Sequence, residues 1–136
     1  MAMNDTLQIA AAGMQVQRER LRVIAENIAN AESTSSKPGG EPYRRKTVTF
    51  ENALNKELGI QTVKVGKLGV DKSPFTKKYD PSHPAADAQG YVLYPNVNPI
   101  IEMTDMRDAR FAYEANINVV EISKAMLTQT ISLLNK

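Results

Sequence analysis

Asp80, His83 and Asp87 form the one short constellation in the chain whose side chains could do chemistry. An imidazole between two carboxylates can hold a divalent metal or pass a proton. Pro81 and Pro84 interrupt the same stretch, so no regular element fixes the spacing of the three, and the segment reads as a turn-rich connector. His83 is the only histidine, and the chain has no cysteine. Thiolate metal sites, disulfides and cysteine nucleophiles are therefore excluded, and any Ser–His pair would have to run through His83. The sequence contains no G-x-S-x-G, phosphate-binding glycine loop or H-E-x-x-H. No enzyme, metal centre or cofactor is expected.

Arg44-Arg45-Lys46 is the other candidate, as a phosphate-binding cluster. Nucleic-acid-binding chains show a denser basic face within a recognisable motif. In a strand, moreover, Arg45 points away from the face shared by Arg44 and Lys46. The cluster is expected to be a solvated face, or to pair with carboxylates of a neighbouring subunit, and nucleic acid is not an expected partner.

With no chemistry to position, the elements themselves carry the reading. The chain has 136 residues, a net charge of +2, 42% hydrophobic residues and no Trp, a composition that permits folding but not a large aromatic core. No apolar run approaches the ~18 residues that span a bilayer, and Met1-Ala2-Met3-Asn4-Asp5 has neither the charge nor the apolar core of a cleaved secretory signal. All seven prolines lie between Pro38 and Pro99, and six of the seven glycines between Gly39 and Gly90. Because these residues punctuate helices, the chain divides into an N-terminal helical segment (1–34), a β-containing or extended middle (35–98) and a C-terminal helical segment (99–136). The middle carries ten basic and six acidic residues, and hence all of the surplus charge.

The first helix is expected from about Asp5 to about Thr34, with Asp5 and Gln8 as a capping box. Leu7, Met14, Leu21 and Ile28 recur every seven residues, with Ala10, Ile24 and Ala31 between them and Gln17 as the polar exception. Such a repeat is a seam for a partner helix. The second helix is expected to be capped by Asn98, with Pro99 at its first position and Glu102 in its first turn. Met106, Tyr113, Val120, Leu127 and Leu134 again sit seven apart, and Ala109, Ile117, Ile131, Val119 and Met126 widen the stripe enough for more than one neighbour. Between the helices, residues 44–50, 60–65 and 91–94 alternate as strands do. The expected fold is α+β: two long terminal helices paired as a coiled coil, with a small middle of β-hairpins and extended arms. On periodicity alone, a coiled-coil adaptor or nucleic-acid-binding module remains an alternative.

Ala25-Glu26-Asn27-Ile28-Ala29-Asn30-Ala31-Glu32-Ser33-Thr34 resembles the signature of flagellar basal-body rod and hook proteins. Gly40-Glu41-Pro42-Tyr43-Arg44-Arg45-Lys46, Tyr79-Asp80-Pro81 and Gly90-Tyr91-Val92-Leu93-Tyr94-Pro95-Asn96-Val97-Asn98 resemble segments of the proximal-rod branch of that family. So do Ala112-Tyr113-Glu114-Ala115-Asn116 and Lys124-Ala125-Met126, with Phe111 standing where a basic residue is expected. The resemblance covers nearly the whole chain, in order. It implies a structural subunit of the periplasmic rod, exported uncleaved by the flagellar type III apparatus and polymerised into the drive shaft and export channel. Its implied partners are copies of itself, other rod subunits including distal ones, and the adaptor protein of the membrane ring, without insertion into the membrane. Another rod or hook subunit is the alternative within the family. The resemblance gives weight to Asn27, Asn30, Tyr43, Gly90, Tyr91, Pro95, Asn96, Glu114 and Asn116. Asn27 and Asn30 are expected to anchor the exit of the first helix through side-chain hydrogen bonds to backbone.

Overall fold

The computed structural model describes residues 2–55 and 59–135, with the side chains of Ala2 and Asn55 left aside. Residues 1, 56–58 and 136, which fall within the three expected segments, lie outside the described residues. The elements are α1 (Ala2–Ala29), β1 (Lys46–Asn55), β2 (Ile60–Val70), β3 (Thr76–Tyr79), β4 (Tyr91–Tyr94) and α2 (Pro99–Leu134). The class is α+β, two helices flanking two antiparallel hairpins, β1–β2 and β3–β4. At ~1.5 Å per residue, α1 and α2 are roughly 42 and 54 Å long. No helix among the described residues is long and apolar enough to cross a membrane.

α1 differs from expectation at both ends, whereas α2 begins where it was expected to. α1 stops at Ala29, five residues before Thr34. Its last turns tighten, with Ala31 N donating to Ile28 O and Ser33 N to Asn30 O, while Asn30 Nδ2 donates to the Glu26 carbonyl. Ala31 therefore lies beyond the seam it was expected to fill. α1 also begins ahead of Asp5, which sits in the first turn, where its charge suits the helix dipole without serving as the cap. α2 starts at Pro99, and Asn98 Oδ1 accepts from Ile100 N at 3.0 Å, which is an N-cap bond.

The chain forms two compact units: Met1–Leu21 with Thr49–Lys67 and Arg107–Lys136, and Arg22–Val48 with Leu68–Met106. In the first, α1 and α2 meet through small residues. A Cβ on Gly13 would lie 2.8 Å from Asn116 Nδ2, which itself donates to Ala112 O. Ala10 and Ala109 are buried. A glycine inside a helix costs about 1 kcal/mol relative to alanine, and the close approach at Asn116 is what gives this one a packing role. Val63 and Val65 of β2 lie along Ala12 and Val16 of α1, the alternation of the strand turning both valines the same way.

In the second unit, Thr76 pairs with Tyr94, Lys77 with Leu93, Lys78 with Val92 and Tyr79 with Tyr91. Val92 is fully buried, while the Lys78 ammonium sits 4.6 Å from the centre of the Tyr94 ring. On the other face Tyr79 meets Tyr91 edge-on at 5.3 Å. The loop between these strands closes on Gly90, whose φ of 88° favours glycine. A Cβ there would meet the Tyr79 ring at 2.9 Å. Leucine at Gly13 should lower stability by about 1–3 kcal/mol, read as a shifted urea midpoint. An unchanged midpoint would contradict the close approach of α1 and α2.

Candidate functional site

The second unit is organised around one amide. Asn27, 1% exposed, sits at the end of α1 and uses both ends of its side chain. Its Oδ1 accepts from Lys46 N at 2.9 Å and from the Tyr43 hydroxyl at 2.6 Å. Its Nδ2 donates to Lys46 O at 2.9 Å and more weakly to Glu102 Oε2 at 3.4 Å. Two acceptor and two donor sites are the full capacity of a carboxamide. Asn27 thus stands in for a strand partner at the first residue of β1, which explains why β1 begins at Lys46.

Glu102, also 1% exposed, projects from the first turns of α2 and pairs with Arg45 Nε. The guanidinium also reaches Asp71 at 3.5 Å and Asp105 at 3.9 Å. Burial works against the Arg45 charge, but the hydrogen bond and charge of Glu102, with Asp71 and Asp105 behind it, outweigh that and raise its pKa. Burial, with the nearby Glu26 and Glu102 charges, pushes the Tyr43 phenol up as well, keeping it a donor to Asn27. Asn96 completes the frame: its Oδ1 accepts from Arg45 N, and its Nδ2 reaches Asp71 O and both oxygens of Ser73. Arg44 donates to the Asp71 and Ser73 carbonyls and lies 4.1 Å over the Phe75 ring.

The basic cluster is therefore corrected. Arg45 is an internal ion-pair centre and Arg44 an internal brace, and of the three only Lys46 is exposed. No local pattern signals this, because Glu102 lies 57 residues from Arg45.

Asp80, His83 and Asp87 serve as turn acceptors. Asp80 takes the Ser82 hydroxyl, His83 Nδ1 takes Ala85 N, and Asp87 Oδ1 takes Gln89 N and Tyr91 N. Among the described residues no group of three His, Cys, Asp or Glu side chains is placed to hold a metal ion. Of the other singled-out residues, Asn30 accepts from the Ser33 hydroxyl, Pro95 is buried, Glu114 is exposed, and Asn116 packs on Gly13.

Along the seams, Ile24 is buried, and Leu7, Met14, Leu21, Ile28, Met106, Tyr113, Ile117 and Val120 are half-buried. Further along the same repeat Leu127, Ile131 and Leu134 are 45%, 51% and 79% exposed. A second line of α2 is uncovered throughout: Ile100, Phe111, Ile122 and Leu133, eleven residues apart and all more than half exposed. Eleven residues make about three helical turns, so the four lie in one stripe. Ala109 and Ser123, both buried, lie on the opposite side of the helix.

Comparison with known proteins places this arrangement. The chain is 52% identical to a flagellar basal-body rod protein FlgC of Agrobacterium fabrum, over 93% of this chain and 91% of the relative. It is 40% identical to the FlgC of Borreliella burgdorferi, covering 98% and 99% of the two chains, and 38% identical to that of Salmonella typhimurium, covering 98% of each. The chain belongs to the FlgC family of flagellar basal-body rod proteins. Residues 88–133 also match the family described as flagellar basal body rod FlgEFG protein C-terminal, a span that takes in β4, Asn96, Glu102 and most of α2. For a FlgC-family chain, a site of packing and polar bracing fits a structural rod subunit.

Removing Arg45 strands a buried carboxylate, so Arg45→Met should cost about 3–5 kcal/mol. Glu102→Gln leaves Arg45 with Asp71 and Asp105 and should cost less, about 1–3 kcal/mol. Urea unfolding of both variants checks the order, and its reversal would contradict the hub. The backbone and hydroxyl of Ser73, with Arg45, hold the Asp71 carboxyl below its usual pKa, and Tyr91, Gln89 and Gly90 N–H groups do the same for Asp87. Since the folded pKa is the lower one, their stabilisation is complete above the ordinary carboxylate pKa of about 3.9 and lost as pH falls below it. Asp71→Asn and Asp87→Asn should each flatten the loss of stability below about pH 4. Unaltered acid profiles would refute those roles.

Proposed function

We propose that this chain polymerises by helix packing into the proximal part of the basal-body rod, transmitting torque and enclosing the export channel. The observation that carries the reading is the eleven-residue stripe of α2 together with the uncovered end of its seven-residue seam. A soluble monomer rarely exposes so continuous an apolar surface. A helix with apolar residues on opposed faces has a place between neighbours on both sides. A contact joining two different faces of identical subunits propagates instead of closing, which is how an open filament grows.

In this reading segments 1–34 and 99–136 form the axial core, and 35–98 forms an outer region that braces adjacent subunits. The assembly residues are Leu7, Met14, Leu21, Ile24, Ile28, Met106, Tyr113, Ile117, Val120, Leu127, Ile131 and Leu134. The partners are copies of this chain, other rod subunits including distal ones, and the membrane-ring adaptor, reached after uncleaved passage through the type III export apparatus into the periplasm. The chain has no catalytic role. Family membership supports the rod, and the exposed helix supports the mode of assembly.

Leu127→Asp should abolish swimming and remove the chain from isolated basal bodies while leaving the purified chain folded, because Leu127 is exposed there. Leu21→Asp should abolish swimming too, with some loss of stability from charging a half-buried position. Normal motility in the Leu127→Asp strain would sink the proposed packing.

A further inference from the structure

A groove of about 440 Å³ in the second unit has Arg22 and Val23 of α1 on one side and Lys46, Leu68, Gly69 and Val70 of the β1–β2 ribbon on the other. Asp71 N donates to Arg45 O at 2.8 Å, which sets Lys46 opposite Val70 on the ribbon, with Leu68 on the same face. Val23 is buried, whereas Leu68 and Val70 are 58% and 51% exposed. These two apolar side chains flank a glycine at the end of a strand with no second neighbour in its sheet among the described residues.

The exposed strand β3 carries Lys77 and Lys78 at its centre, the kind of charge that discourages pairing with another chain. In β2 the lysines lie further back, at Lys64 and Lys67, and its Leu68-Gly69-Val70 end is itself uncharged. The rim of the groove is cationic, and Arg22 and Lys46 each reach the single carboxylate of Glu26 at 3.4 Å. An ammonium has three donors, and among the described residues Glu26 is the one acid partner of Lys46, so a second carboxylate arriving at the rim finds a donor there.

We infer that this groove docks an extended acidic segment of a neighbouring rod subunit, which lays an apolar side chain on Leu68 and Val70 and brings a carboxylate to Lys46. The inference rests on the rod reading above and assigns that assembly a contact outside the helix seams. Extended segments bind in this way when backbone and alternating side chains engage together. The groove is too small to hold a dimer in solution and works only within a polymer, where other contacts fix the neighbour.

The chain lacks cysteine, so single-cysteine variants give clean labels. Val70→Cys, and separately Leu68→Cys, should react with a thiol reagent in the free chain and lose that reactivity in isolated basal bodies. Lys46→Glu should reduce incorporation of the chain into basal bodies, and Lys46→Arg should restore it. Equal labelling of free and assembled cysteines would overturn the docking site. Protected cysteines with normal incorporation of Lys46→Glu would overturn the acidic character of the partner. A wild-type chain missing from basal bodies would instead refute the rod reading itself.

Discussion

The structure of the second unit depends on the complete satisfaction of one buried amide. Asn27 spends two acceptor and two donor sites on Tyr43, Lys46 and Glu102, joining the end of one helix, the start of a strand and the first turns of the other helix. A hydrocarbon in its place would leave the Lys46 backbone unpaired, and an acid would lose the donors. Buried polar groups are costly unless fully paired, so such a network specifies one arrangement and penalises near misses. Glu102 and Arg45 extend the same constraint. Arg45 is held by three carboxylates, and Asn96 holds both its backbone and the turn that carries Asp71.

The polar lock and the uncovered apolar surface of α2 answer different needs. A directional network fixes how strand and helix ends meet, because hydrogen bonds tolerate little displacement. Apolar stripes are less particular about angle and suit repeated packing against neighbours. The proposed torque-bearing shaft needs both: stiff internal joints and large interfaces, since stiffness against twisting comes from dense packing.

Features governed by local rules were legible in the sequence. Asn98 followed by Pro99 announces the start of α2, and Tyr91–Tyr94 alternates as a strand should, with Val92 inward. What escaped depends on distant partners. Asn27 and Asn30 were expected to anchor the exit of α1, but the partners of Asn27 lie 16, 19 and 75 residues away and no local pattern names them. β3, Thr-Lys-Lys-Tyr, has no apolar alternation and was not foreseen; it exists as the partner of β4, with Lys78 laid over Tyr94. The eleven-residue stripe was obscured by the stronger seven-residue repeat on the same helix. Charge alone made Arg45 look like a surface residue, although its role is fixed by Glu102.

The central claim is that α2 is a two-sided packing element, and cryo-electron microscopy of isolated basal bodies tests it most directly. The account predicts this chain in the rod, with Ile100, Phe111, Ile122 and Leu133 covered by a helix of a neighbouring subunit. A rod in which that stripe faces solvent, or in which the chain is absent, would contradict it.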